Sequence, residues 1–217
     1  MASPLTTSTI QTDTWIPATW SQFVAVAYSD RYQNGRAYYD HGYMRIEMAP
    51  LGSAHGQDNS LISTVVTLYG LAKNLPLKEL INTSFRKSGV RECQPDLAYY
   101  IGSALPQLPR DNAPIDVDRW GAPTLVVEIG ATSFSDDLGS KRLLYEQLGV
   151  EEYWVINTAA KEAIAFAVSE RRSGRISASQ VLPALTIALV NKALQRSTTE
   201  DTSAIGRWLF RTYSESD

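Results

Sequence analysis

Thr124-Leu-Val-Val-Glu-Ile-Gly130 decides the fold. Four apolar residues here carry no polar alternation, so the segment reads as a central strand buried on both faces. Glu128 sits inside that run, where a lone charge is costly and needs a cation, a metal or a proton to persist. Outward from it, Ser135–Leu148 has helical periodicity and stops at Gly149. Strands follow at Glu152–Asn157, Lys161–Val168 and about Ile176–Val181, and the tail from Leu185 to Tyr213 reads as mainly helical. On the N-terminal side, Pro95 and Asp96 lead into a second apolar strand, Leu97–Ile101, where Asp is a poor strand former.

Towards the start, Thr19 or Ser21 caps a helix whose apolar face is Trp20, Phe23, Val24 and Ala27. A ribbon is expected at Arg36–Asp40 and Tyr43–Met48 around a His41-Gly42 turn, and a long helix over about 56–73. Two strand-like arms, Lys78–Arg86 and Val90–Ile101, flank a turn at Ser88-Gly89; 102–122 reads as a loop. The pattern predicts an α/β chain, a mixed β-sheet flanked by helices in one domain over 1–217, with 1–18 a flexible N-terminal segment and 185–217 a mainly helical extension.

Composition bounds the function. With 44% hydrophobic and 20% charged residues in 217, the chain has an ordinary core and no run of the roughly 18 apolar residues that spans a membrane. One cysteine, Cys93, permits no internal disulfide and suits a cytoplasmic location. Two histidines without ligand spacing argue against zinc. Phosphate loops, dinucleotide fingerprints and nucleophile elbows are missing too. A net charge of −3 weakens nucleic-acid binding unless local basic stretches, such as 85–91 or 170–175, supply it; the second reads better as a hairpin tip.

Lys141 is the third residue out of place. The helix over 135–148 puts Leu138, Leu144, Tyr145 and Leu148 in one stripe, and Lys141 projects into its middle with Asp137 one turn earlier. Each of Asp96, Glu128 and Lys141 alone could be an edge carboxylate or a snorkelling lysine. Together they make a polar constellation in a core, which is more often a functional site than a stabilising network. Two carboxylates at adjacent strand ends suit a hard divalent ion such as Mg²⁺, or Mn²⁺ in its place.

These residues carry a resemblance. Tyr38–Pro50 with His55, Gln94–Tyr100, Ala122–Ile129, Asp137 to Lys141, and Tyr145–Ile156 resemble the restriction endonuclease-like family abundant in cyanobacteria, within the PD-(D/E)XK nuclease superfamily. The resemblance implies a restriction endonuclease-like core and a Mg²⁺-dependent endonuclease hydrolysing DNA. It implies metal held by Asp96, Glu128 and the Ile129 carbonyl, with Lys141 positioning water and Glu47 as an extra acid. The superfamily lysine expected two residues after the glutamate is Gly130 here, and Lys141 looks like its migrated replacement. His55 at a helix start would touch phosphate, cap or pack; Glu47 could equally face solvent. The alternatives are a catalytically degenerate nucleic-acid-binding or regulatory protein of the same fold, and a structural protein with a buried ion network. Cutting both strands with one site per chain suggests a homodimer through 205–210, unless Trp208, Leu209 and Phe210 simply pack the last helix.

Overall fold

The computed structural model describes residues 9–130 and 133–215. In chain order the elements are β1 (Ile16–Pro17), α1 (Trp20–Ala27), β2 (Arg36–Asp40), β3 (Tyr43–Glu47), α2 (Ser53–Ala72), β4 (Leu77–Ile81), β5 (Phe85–Lys87), β6 (Arg91–Cys93) and β7 (Leu97–Ile101). They continue as β8 (Ile115–Asp116), α3 (Val117–Trp120), β9 (Leu125–Gly130), α4 (Phe134–Leu138), α5 (Ser140–Leu148), β10 (Glu152–Asn157), β11 (Glu162–Ser169), β12 (Arg172–Ile176), α6 (Ile187–Arg196) and α7 (Thr202–Glu215). The mixed α/β architecture expected from the sequence is present, in two sheets rather than one. One runs β1-β3-β2-β6-β5-β8 and the other β12-β11-β10-β9-β7-β4.

The two strand-like arms bend because the chain changes sheets within each. β4 and β7 belong to the second sheet, whereas β5 and β6 belong to the first. The bend in the first arm uses Asn82 at φ 50, whose amide bonds the Asp96 carbonyl in the bend of the other (3.1 Å). Asn tolerates this left-handed backbone better than most residues. Asp96 therefore sits at the corner where the two sheets meet.

β9 is buried at all six positions, between parallel β10 and antiparallel β7. Its Leu125, Val127 and Ile129 join α2, α6 and α7 in one core, which also takes Leu209 and Tyr213. Its Val126 faces a second core with Leu144, Tyr145 and Tyr153, to which the first sheet contributes Tyr38, Phe85 and Cys93. A third core packs α1 against Tyr39, Met44 and Ile46 of the β2–β3 hairpin. The hairpin turn, His41-Gly42, has both residues at positive φ, the primed geometry that matches strand twist.

Several expectations need correction. Of the N-terminal segment expected to be flexible, residues 1–8 lie outside the described residues, but 9–18 are held. Ile16 and Pro17 pair with β3, Ala18 is buried, and the Trp15 indole donates to Asp136 (2.7 Å). The third strand of the C-terminal meander is Arg172–Ile176, paired with β11 around Glu170-Arg171, both at positive φ. The loop 102–122 contains β8 and α3, and the helix expected over 135–148 is broken at Gly139. The helical tail matches, as α6 and α7. No described helix is long and apolar enough to cross a membrane.

Candidate functional site

Sheet register brings the two carboxylates together. β7 pairs with β9 as Leu97↔Val127, so one further step sets Asp96 opposite Glu128. The Asp96 side chain folds back onto β9, where its Oδ2 accepts the Ile129 amide (2.7 Å). Both side chains are 1% exposed. Two phenols flank Glu128: Tyr145 donates to its Oε1 at 2.6 Å, and the Tyr38 hydroxyl, whose closer acceptor is the Gln94 carbonyl (2.9 Å), lies 3.2 Å from it.

The β2–β3 hairpin closes the other side. Alternation puts Arg36 and Tyr38 on one face, directly across from Glu47 and Arg45, while Ala37, Tyr39 and Ile46 go to the α1 core. Arg36 ion-pairs with Asp96 Oδ1. His55, in the first turn of α2, brings Nε2 within 2.9 Å of the same oxygen, at an angle poor for a directed hydrogen bond. Arg45 bonds Glu47 (2.9 Å) and lies 3.4 Å from Asp136.

Lys141 joins these layers. Fully buried on α5, its ammonium lies 2.9 Å from Glu47 and from Asp137, 3.8 Å from Glu128, and 4.3 Å from the Tyr38 ring centre. The sequence thus placed Lys141 inward and beside Asp137 correctly; in the structure Lys141 joins Glu47, Glu128 and Asp137, while Asp96, across the strand pair from Glu128, meets Arg36 and His55. Sequence reasoning missed Arg36, Tyr38, Arg45 and Tyr145. The two-residue turn at His41-Gly42 was the available signal, since it fixes Arg36 opposite Glu47.

Gly130, where the resemblance would place a lysine, is closely covered. A Cβ there would lie 2.8 Å from Asp137 Oδ2 and 3.1 Å from the Phe134 backbone. α4 packs over this strand end, so a side chain here would require the Asp137 carboxylate to shift and Phe134 to give way.

Electrostatically the site is short of positive charge. Carboxylates Glu47, Asp96, Glu128, Asp136 and Asp137 outnumber the cations Arg36, Arg45 and Lys141. Burial pushes the Glu128 carboxyl well above its ordinary range; Lys141 opposes this and the nearby Asp96 and Asp137 reinforce it. Asp137 is also raised, by burial first, against Lys141. Burial would raise Asp96 too, but His55, Arg36 and the Ile129 amide hold it below its usual value. Lys141 is raised: burial favours its neutral form, and Glu128, Asp137 and Glu47 overcome that.

This donor set fits a hard divalent cation. Its side-chain oxygens are carboxylates, which suit a hard ion, and the Ile129 amide bond to Asp96 brings that stretch of main chain alongside them. Among the described residues no three His, Cys, Asp or Glu side chains converge as a ready cage. Mg²⁺ requires none, because it keeps several waters and takes one or two carboxylates. A cleft of about 380 Å³ opens beside the cluster, lined by Arg36, Arg45, Glu47, His55, Ile129 and Ser133.

The first basic stretch supplies little free positive surface. Arg86 pairs with Glu92 (2.5 Å), Lys87 with Asp118 (2.8 Å) and Arg91 with Asp40 (2.7 Å). Residues 170–175 form the β11–β12 hairpin tip, as expected.

A family profile described as "Uma2: Putative restriction endonuclease" matches residues 20–199. No curated protein matches the chain. Among solved structures, a putative nuclease belonging to DUF820 from Anabaena variabilis ATCC 29413 is similar, with a TM-score of 0.58 and 15% identity. The match covers 82% of this chain and 99% of that one, a likeness of fold.

Proposed function

The chain belongs to the Uma2 family of restriction endonuclease-like proteins, and from that premise we propose that it is a Mg²⁺-dependent endonuclease that hydrolyses DNA phosphodiester bonds at the Asp96–Glu128–Lys141 cluster. The observation that carries this reading is Lys141, buried and shared among three carboxylates beside an open cleft. Arg45 shares Glu47 with it, and burial holds the Glu128 and Asp137 carboxyls towards their protonated forms; a divalent cation beside them would let both ionise.

Asp96, Glu128 and the Ile129 carbonyl would hold the ion, with Mn²⁺ as a substitute. When bound, it would neutralise the phosphodiester and lower the pKa of an attacking water. The protein does the positioning. Tyr145 orients the Glu128 carboxylate by its hydrogen bond, and Tyr38 flanks it. Lys141 holds a positive charge where negative charge builds during phosphoryl displacement, and Glu47 and Asp137 orient its ammonium. Arg36 and His55 line the cleft wall and face an incoming phosphate. Cutting both strands of a duplex would take two such sites, hence two copies of the chain acting together.

The test is calorimetric titration of Mg²⁺ or Mn²⁺ into the wild type and Glu128→Gln, followed by plasmid nicking with and without chelator. Millimolar or tighter binding that vanishes in the variant, with chelator-sensitive nicking, is expected. Absence of ion binding even with a duplex present would overturn the reading. A second reading, a non-cleaving nucleic-acid-binding protein, is favoured by the engagement of Asp96 by Arg36, His55 and Ile129. Metal and DNA binding without nicking would select it.

A further inference from the structure

Arg36 does two things that a single position does not usually combine. Its guanidinium ion-pairs with Asp96 Oδ1, an oxygen that His55 Nε2 also approaches at 2.9 Å. The other carboxylate oxygen, Oδ2, accepts the Ile129 amide. Yet Arg36 also lines the cleft and keeps 14% of its side chain exposed, whereas Asp96 beneath it is 1% exposed. Its neighbours Tyr38, Asp96 and Ile129 are held by strand pairing and hydrogen bonds. The Arg36 side chain is long and rotatable, unlike these neighbours.

A guanidinium and a divalent cation on one buried carboxylate repel each other. Both cannot stay. The carboxylate is fixed to β9 through Ile129, so the arginine is the partner able to leave, and the cleft is where it can go. There a planar guanidinium suits a phosphate, which it can bind through two parallel hydrogen bonds.

Resting on the metal reading of this site, we propose that Arg36 is an exchangeable counter-ion. It neutralises Asp96 in the metal-free protein, is displaced when a divalent cation binds, and then receives a DNA phosphate in the cleft. Arg36 thus lowers metal affinity and couples metal loading to substrate binding. By reciprocity, a duplex that engages the released arginine tightens the metal.

The test uses the full chain as wild type and as Arg36→Met, which removes the charge and keeps much of the side-chain volume. Mn²⁺ alone is titrated by calorimetry. Binding of a short, phosphorothioate-protected DNA duplex is then measured with and without Mn²⁺. Mn²⁺ is expected to bind the variant at least about tenfold more tightly, a difference of about 1.4 kcal/mol. The gain in duplex affinity that Mn²⁺ gives the wild type is expected to shrink about tenfold or more in the variant. Equal or weaker Mn²⁺ binding by Arg36→Met, with Mn²⁺ still bound by the wild type, overturns the exchange and leaves the metal site standing. Binding of Mn²⁺ by neither protein overturns both. If Arg36→Met fails to fold without metal, circular dichroism decides. Folding induced by Mn²⁺ supports the exchange, because the ion then replaces the guanidinium; no folding at any Mn²⁺ concentration, while Glu128→Gln stays folded, overturns it.

Discussion

Glu128 and Asp96 are neighbours across a strand pair, but their surroundings drive their ionisation in opposite directions. Glu128 is raised by burial, so its contribution to stability is fully present below its unfolded value, about 4.5, and is lost as pH rises towards its folded value. Asp96 is lowered, so its contribution is present above 3.8 and is lost as pH falls through its folded value. In chelator-containing buffer, Glu128→Gln should therefore gain on the wild type as pH rises from about 4.5 towards neutrality. Denaturant midpoints measured across that range would show it; a difference independent of pH would contradict the buried-carboxyl account. The oddity of both residues was legible in the sequence, since Glu128 sits in an apolar strand and Asp96 leads into one. The opposite shifts were not legible, because Arg36, His55 and the Ile129 amide, which set the Asp96 direction, come from three other elements.

At the scale of elements, the strand end at Gly130 and the broken helix beside it form one device. α4 ends at Leu138 and α5 begins at Ser140, with Gly139 between at φ −106 and ψ −106. The break lets α4 lie across Gly130 while α5 points Lys141 at Glu128. Asp137 and Lys141 still meet across it at 2.9 Å, as their spacing suggested. A methyl group at Gly130 would push against the Asp137 carboxylate and Phe134. Gly130→Ala should thus cost about 1–3 kcal/mol by overpacking, read from chemical denaturation. A neutral substitution would mean that α4 can move aside. Periodicity suggested one helix here because the residues on both sides of the break share an apolar stripe. The strand-like arms misled in the same way: strand-forming residues on both sides outweighed the breakers Asn82 and Pro95, near which the chain leaves one sheet for the other.

Across the whole molecule, the second sheet separates two environments. Its one face carries Val126, Glu128 and the Lys141 cluster, and its other face packs α2, α6 and α7. α7 contributes Ile205, Leu209 and Tyr213, with the Tyr213 hydroxyl bonded to the Val65 carbonyl (3.3 Å). Leu209→Ala should cost about 2–5 kcal/mol and leave the Mn²⁺ affinity of the folded protein within about twofold, since distant independent sites rarely couple. Denaturation and calorimetry on one preparation would check both halves, and a large loss of affinity would show that the helical layer shapes the site. Of 205–210, Leu209 packs inward and Trp208 lies under Arg196 (4.3 Å), whereas Phe210 stays 42% exposed.

The sequence alone determined the elements that local rules govern: the capped first helix, the His41-Gly42 hairpin, the buried strand around Glu128 and the inward turn of Lys141. Hydrophobic period, capping chemistry and the cost of an uncompensated charge act within a few residues of one another, so each is visible in a short stretch of chain. The tertiary structure decided what lies across the chain. It split the strands between two sheets, set Asp96 opposite Glu128 by register, and laid Arg36 over Asp96. Those contacts join residues tens of positions apart, and their energies depend on burial and on neighbouring charge, which exist only after the chain has folded.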